Sequence, residues 1–506
     1  SSPPCHKGVS SMTVLDYAAG LFTPYYIALM AISTLGGIVV GLLPGITVTM
    51  SVGLLVGLTF GMPPLDALIV LTCVFVGGIY GGSQSAILIN VPGSPAAAAT
   101  ALEGHMMCKT GRAGQAIGFS TIASGIGTVF GALVLFAVAP MIAEFALKFS
   151  AWEYFLLAVL GMAISAALCG RSMALGLIGA FLGVMIALVG MDSVWGYQRF
   201  TYGYTDLAAG FSFIPAMIGL FGLAEVLHAL SVRAGQPLAD KVGRVSTKVA
   251  DYWRYRMAIL RANVIGVIIG ALPGVGADIA AWVSYGSNKQ MSKEKDQYGK
   301  GTPEGVVSAE TANNAAVGGT YIPMLTLGIP GDAVTAVILG GMVLHGLRPG
   351  PMFFLESPQY FTIIPTIMVV SAVFLVVFGL MMARVTPRIL GVPAWVLFPV
   401  VVLLAIVGSF AVNNRIFDVW VMFAFGVLGW GMRALAIPTP PLVLGMILGP
   451  MADAEFRRAL SASHGSLEPL FTRPLSLMLI VALILTILAS TGALRMLIER
   501  FSRKTE

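Results

Sequence analysis

Seven long stretches of this chain carry no Asp, Glu, Lys or Arg: residues 17–65, 67–102, 113–143, 172–191, 357–383, 389–414 and 474–494. A helix needs about 20 mostly apolar residues to cross a bilayer core, and lipid leaves every backbone polar group to be satisfied internally. Several of these stretches can hold one such helix, and the longest can hold two. Composition agrees: 57% of the 506 residues are hydrophobic and 10% are charged, against about 25% charged in soluble domains. The chain is therefore read as all-α, a polytopic integral membrane protein with about ten to twelve transmembrane helices plus re-entrant hairpins. An ordinary soluble enzyme and a disordered protein are excluded. So is a nucleic-acid-binding module, because the net charge of +6 is small and spread through loops.

Cys5, Cys73, Cys108 and Cys169 show no metal-ligand spacing, and three of them lie in or beside apolar segments, where a thiol serves as a small packing group. The five His are scattered and form no zinc pattern. There is no Walker A sequence and no catalytic constellation of Ser, His and Asp or of paired carboxylates, so neither ATP hydrolysis nor another enzymatic activity is expected. The first eleven residues lack the basic-then-apolar order of a signal peptide.

Positive charge gathers in two loops. The first, 233–261, holds Arg233, Lys241, Arg244, Lys248, Arg254, Arg256 and Arg261, and by the positive-inside rule faces the cytoplasm, as does the C-terminus with Arg495, Arg500, Arg503 and Lys504. The second, 289–300, lies outside if 257–272 and 276–287 form one broken span, and inside if they form a hairpin.

The chain also repeats itself. Gly41-Leu-Leu-Pro-Gly45-Ile46 is echoed by Gly270-Ala-Leu-Pro-Gly274-Val275, Gly77-Gly-Ile-Tyr80 by Gly318-Gly-Thr-Tyr321, and Val91-Pro-Gly-Ser94 by Ile329-Pro-Gly-Asp332, at offsets of 229, 241 and 238 residues. The drift falls in the charged stretch 289–304, where a loop tolerates insertion. The expected organisation is a first membrane repeat at 12–231, a basic cytoplasmic linker at 232–256 and a second membrane repeat at 257–495, with the two repeats taken as inverted.

Paired Pro/Gly interruptions at matching positions of two membrane halves point to a transport site. Pro lacks an N–H and Gly relaxes the backbone, so Pro44-Gly45 and Pro273-Gly274 should each break a helix. The freed N–H groups attract an anion and the freed carbonyls attract a cation. Around the breaks stand hydroxyls and amides that can donate to a carboxylate. The substrate-binding candidates are Pro44, Gly45, Thr47, Ser83, Ser85, Asn90, Gly93, Ser94, Pro273, Gly274, Gly276, Thr326, Pro330 and Gly331. Asp278 and Asp332 are acids in apolar surroundings, expensive in a membrane and functional by default. With Asn313, Asn314 and Thr335 they form the cation-binding candidates, a set that could hold Na⁺.

A plainer reading stands beside this one, in which each break is a kink and each Ser or Thr bonds its own helix backbone. His105 and His345 read as loop-facing basic residues, and Trp195-Gly-Tyr-Gln-Arg-Phe-Thr-Tyr-Gly-Tyr204 as a membrane-surface anchor.

Several blocks resemble a known family. They are Gly41-Leu-Leu-Pro-Gly45, Tyr80-Gly-Gly-Ser83 with Asn90-Val-Pro-Gly-Ser-Pro95, Gly270-Ala-Leu-Pro-Gly-Val-Gly276 and Leu327-Gly-Ile-Pro-Gly-Asp332. Arg199-Phe-Thr-Tyr-Gly203, Phe221-Gly-Leu-Ala-Glu225 and Pro438-Thr-Pro-Pro-Leu-Val-Leu-Gly445 join them. Together they look like the large membrane (permease) subunit of tripartite tricarboxylate transporters, the TctA type, over nearly the whole chain. The resemblance implies a multi-pass protein of the bacterial inner membrane. Its implied partners are a small four-span membrane subunit and a periplasmic solute-binding protein. It also implies uptake of citrate or other organic acid anions, driven by a Na⁺ or H⁺ gradient, with no cofactor beyond that coupling ion. The expected function is thus secondary-active, binding-protein-dependent import. An uncoupled organic-anion channel is the alternative.

Overall fold

The computed structural model describes residues 14–43, 45–169, 172–192, 194–231, 245, 247 and 249–490. Pro44, most of the basic linker and the Arg-rich C-terminus lie outside the described residues.

Among the described residues, sixteen helices of eleven residues or more fall into two runs of eight. The first run is α1 (Pro24–Leu42), α2 (Val48–Leu58), α3 (Pro64–Ile89), α4 (Ala98–Lys109, entered through a 3-10 turn at Pro95–Ala97), α5 (Ala113–Ala146), α6 (Ala151–Leu168), α7 (Met173–Ala187) and α8 (Phe213–Ser231). The second run is α9 (Arg256–Gly270), α10 (Gly276–Met291), α11 (Pro303–Leu327), α12 (Ala333–Leu344), α13 (Tyr360–Met382), α14 (Ala394–Asn413), α15 (Ile416–Ala434) and α16 (Thr439–Ala462). A further helix, α17 (Pro474–Ser490), packs on α6 and has no counterpart in the first run. Among the described residues, eight helices are long and apolar enough to cross a membrane, namely α1, α3, α5, α6, α8, α13, α14 and α15. The chain is a multi-pass membrane protein. By contrast α2 has 11 residues, a rise of about 16 Å, which spans about half a bilayer core. In the loop between α7 and α8, two short strands, β1 (Gly190–Met191) and β2 (Gln198–Arg199), pair antiparallel and carry the exposed Trp195 and Tyr197.

The second run repeats contacts of the first. Gly37 and Gly41 of α1 let that backbone approach Val74 and Gly78 of α3; Gly266 and Gly270 of α9 do the same against Ala312 and Ala316 of α11. Without side chains at these positions, helix axes come close enough for dispersion to hold them in lipid. α3 and α11 are buried almost throughout and form the centre, where the Thr72 and Tyr321 hydroxyls meet at 2.9 Å. α5 packs on α11, and its counterpart α13 packs on α3. The last helices cross over between runs: α16 lies against α6 and α7, while α8 lies against α14 and α15.

The breaks follow the local chemistry. α1 stops at an extended Leu43, Gly45 adopts φ 85°, and the Ile46 N–H closes a turn on the Leu43 carbonyl at 3.1 Å. In the second run Gly274 takes φ 78° and the Val275 N–H reaches the Leu272 carbonyl at 3.2 Å. A β-turn with a positive-φ third residue demands Gly there. The Pro-Gly hairpins are likewise tight. A β-carbon on Gly93 would collide with the Gly41 carbonyl, and one on Gly331 would lie 2.6 Å from the Gly270 carbonyl oxygen.

Candidate functional site

The first break, the first hairpin and the chain just past the second break and second hairpin line one cavity of about 520 Å³, a size ordinary for a small organic ligand. Five helix starts meet at its wall. Gly45, Thr47, Val48 and Thr49 begin α2; Pro92 to Pro95 lead into α4; Ala277 and Asp278 begin α10; Asp332 to Val334 begin α12; Pro438 to Pro440 begin α16. A helix N-terminus brings a partial positive charge and unpaired N–H groups, though at α16, which opens Pro438-Thr439-Pro440-Pro441, only the Thr439 N–H remains.

Two of these starts are already capped from within. Thr47 accepts the Met50 N–H at 3.2 Å on α2. Asp332 accepts the Thr335 N–H at 2.7 Å, in a reciprocal capping box on α12. α10 and α16 start without a side-chain cap, as does the 3-10 turn ahead of α4. The Ser94 hydroxyl beside that turn is buried without a hydrogen-bond partner. Asp278 is exposed and opens onto the cavity, where the Ala96 N–H points at its carboxylate.

Two charged cavity residues are missing from the candidates expected from sequence, although their signal was present. Glu225 and Arg433 face each other with Arg433 Nη1 at 2.6 Å from Glu225 Oε2. Glu225 ends the stretch Phe221-Gly-Leu-Ala-Glu225, which supported the family resemblance; Pro438 and Thr439, also in the wall, belong to another such stretch. A π-helical turn at Ile218–Leu223 sits midway along α8. It is a helical defect often found at functional sites, and here Leu220, Phe221, Ala224 and Glu225 all line the cavity.

Of the residues expected from sequence, Gly45, Thr47, Gly93, Ser94, Asp278 and Asp332 line the cavity. The others lie behind it or elsewhere. Asn90 closes α3 in the left-handed region at φ 56°, the place Gly328 takes at the end of α11, and it is exposed and outside the cavity wall. Ser85 bonds the Gly82 carbonyl at 2.9 Å and Thr326 the Ile322 carbonyl at 2.7 Å, each within its own helix. Gly274 is packed against Ser165, and its carbonyl accepts the Cys169 thiol; Pro273 borders Gly161. Gly276 touches Asp332, while Pro330 and Gly331 are buried in the second hairpin. Asn313 and Asn314 are fully buried behind the hairpin, Asn313 reaching the Ala96 carbonyl at 3.4 Å and Asn314 donating to Asn313 at 2.6 Å. Thr335 serves the α12 cap. Ser83 bonds Glu310 at 2.6 Å. Pro44 lies outside the described residues.

Comparison with known proteins agrees with this architecture. Residues 27–444 match the family model described as "Tripartite tricarboxylate transporter TctA family". The chain is 36% identical over 477 residues to an "Uncharacterized 52.8 kDa protein in TAR-I ttuC' 3'region" of Agrobacterium vitis, covering 94% of this chain and 95% of that one. It is also 36% identical over 231 residues to an "Uncharacterized protein in TAR-II ttuC' 3'region" of the same organism, covering 46% of this chain and 96% of that one. No solved structure matches the chain. An eight-plus-eight helical membrane protein matched by this model over most of its length belongs to the tripartite tricarboxylate transporter TctA family, as the membrane component of such a transporter.

Proposed function

We propose that this chain imports a tricarboxylate or related organic acid anion across the bacterial inner membrane, coupled to a Na⁺ or H⁺ gradient. In this reading a periplasmic solute-binding protein delivers the substrate, and a small four-span membrane subunit completes the transporter. The observation that carries it is the meeting of helix starts that follow the Pro/Gly interruptions of both runs at one cavity. The uncapped start of α10 offers N–H groups to carboxylates, and Ser94 adds a free hydroxyl.

Electrostatics supports coupling. The wall carries Asp278, Asp332 and Glu225 against Arg433. An anion entering a low-dielectric cavity with a surplus of carboxylates is repelled unless a cation neutralises part of that charge. Co-binding of Na⁺ or H⁺ at Asp278 and Asp332, with Asn313, Asn314 and Thr335 supporting them from behind, removes the repulsion. The alternating-access step then moves one inverted repeat against the other around the fixed cavity. Uptake of labelled citrate into vesicles bearing all three components, with Na⁺ or proton gradients imposed separately, tests the reading. Accumulation that follows a gradient supports it. Flux that only equilibrates, without the binding protein, identifies an uncoupled channel instead.

A further inference from the structure

Away from the transport cavity, the start of the second run builds a pocket of its own. α9 runs to the Leu272-Pro-Gly274 break and α10 returns from it, so that their outer ends meet again. Arg254, just ahead of α9, pairs with Glu294, just past α10. Arg261 Nε donates to the Asn288 side-chain oxygen at 2.8 Å. Between these ends lies a second cavity, of about 440 Å³. Arg254, Arg256, Arg261 and Lys293 line it, with Glu294 and Glu304 as its acidic residues.

Both carboxylates are already engaged. Glu294 takes Arg254, and Glu304 accepts the Ser292 hydroxyl at 2.6 Å. Among the described residues, no carboxylate lies within ion-pair distance of Arg256, Arg261 or Lys293. The guanidiniums are nonetheless held in place. Arg256 Nη1 donates to the Trp253 carbonyl at 3.0 Å, and its guanidinium lies 5.2 Å from the centroid of the Trp253 ring. Arg261 is fixed through Nε alone, and among the described residues its terminal nitrogens have no hydrogen bond. α9 also begins here without a side-chain cap, adding the positive end of its dipole. Preset donors and a surplus of cations recruit an anion, and a planar guanidinium suits the paired oxygens of a phosphate.

The surroundings select the anion. Trp253, Met257, Leu260, Val264 and Ile268 are all exposed. They follow one another at spacings of four, three, four and four residues, which places them on one face of a helix. On a membrane protein such a face meets acyl chains, and Trp favours the level of the headgroups. Trp253 heads this face and carries the Arg256 guanidinium on its ring. Met257 belongs both to the face and to the pocket wall, and exposed Met291 of α10 lines the pocket as well. The cations therefore stand at headgroup depth, with a thioether rim toward the acyl chains. A soluble anion would use the cations and ignore the rim, whereas a lipid uses both.

We propose that this pocket binds the headgroup phosphate of an anionic phospholipid. Arg256, Arg261 and Lys293 hold the phosphate, and Met257 and Met291 lie against the first carbons of the acyl chains. Basic pockets between membrane helices hold such headgroups. None of the residues lining this pocket lines the transport cavity, and the inference stands independently of the transport reading. A lipid seated there pins the entry of α9 to the exit of α10.

The test measures lipid binding to the purified full chain in detergent by native mass spectrometry. The probes are phosphatidylglycerol and phosphatidylcholine with the same acyl chains, which differ in headgroup charge. Wild type should bind phosphatidylglycerol about tenfold more tightly. Arg256→Gln with Lys293→Gln removes two exposed cations that hold no carboxylate, so the fold is not put at risk. It should weaken phosphatidylglycerol binding about tenfold and leave phosphatidylcholine unchanged. Lys295→Gln with Lys300→Gln alters two exposed lysines of the same loop outside the pocket and should bind as wild type. Equal binding of the two lipids by wild type overturns the proposal, and so does an unaltered Arg256→Gln, Lys293→Gln variant. Equal weakening in both double variants assigns the effect to general surface charge and overturns it too. Glycerol 1-phosphate, added as a competitor, should not displace the lipid at matched concentration. Displacement would assign the pocket to a soluble phosphoester and overturn the lipid.

Discussion

Arg433, in the last turn of α15, reaches across to Glu225 on α8 with Nη1 and Oε2 2.6 Å apart, and both residues line the cavity. The pair joins the second run of helices to the first at the one guanidinium of the wall among the described residues. Both partners are partly exposed, so their mutual attraction is worth no more than about 1 kcal/mol. The guanidinium is worth more to a carboxylate ligand, which it can hold through two parallel N–H groups. Arg433→Ala is expected to raise the KM for uptake of the proposed organic acid anion about tenfold, the loss of one charge-assisted contact. Glu225→Gln, which frees the guanidinium, should lower KM by a few-fold. Initial uptake rates across a substrate series check both, and equal KM in all three proteins would remove Arg433 from the site.

The hairpins depend on Gly where backbones touch. Gly93→Ala forces a methyl group into the Gly41 carbonyl and the Gly82 backbone, an overpacking expected to cost about 1–3 kcal/mol. Gly36, by contrast, has nothing within 4 Å of an added β-carbon. Gly36→Ala within α1 should therefore gain about 0.5–1 kcal/mol from helix propensity. Thermal melts of the purified variants should move in opposite directions.

Ser94 and Ser85 separate ligand binding from packing. The Ser94 hydroxyl is buried at the cavity with no partner, whereas Ser85 is bonded to Gly82 in its own helix. Ser94→Ala is expected to raise KM about three- to tenfold with an unchanged melting temperature. Ser85→Ala should leave KM as it is.

In the loop between α7 and α8, Asp192 ties that loop to α16. It forms ion pairs with Arg199 at 2.8 Å and Arg457 at 2.9 Å, and Asp453 of α16 pairs with both as well. Burial pushes the Asp192 carboxyl up, but the Val194 N–H and the two guanidiniums outweigh it and hold it below the usual carboxylate range. A carboxyl lowered in the folded state contributes stability that is fully present above its unfolded value of about 3.9 and is lost as pH falls through the folded one. The melting temperature should accordingly be insensitive to Asp192 titration between about pH 6 and 8, well above that value, and the acid limb should shorten in Asp192→Asn. An acid limb identical in the variant would show that other carboxylates set it.

Local chain chemistry was readable in advance; convergence over long separations was not. Charge-free runs announced the helices, and Leu-Pro-Gly announced both breaks, because both are properties of neighbouring residues. Asn90 and Thr326 looked like ligands for the same reason, yet a left-handed cap and a back-bonded helical hydroxyl satisfy them locally. The buried Glu310 escaped notice because the hydroxyls that bond it, from Ser83, Thr100 and Ser124, come from three other helices, at separations of 227, 210 and 186 residues. The Arg433–Glu225 pair spans 208 residues, and neither partner taken alone names the other.

The crossing of α8 and α16 reaches into biosynthesis. A nascent chain released only as far as Ser231 has α8 without the α14 and α15 that cover it, and α6 and α7 without α16. Those seams stay open until α14, α15 and α16 have followed. Helices α6 to α8 must therefore wait in the bilayer, inserted but unlatched, for a closure that only the far end of the second run can bring.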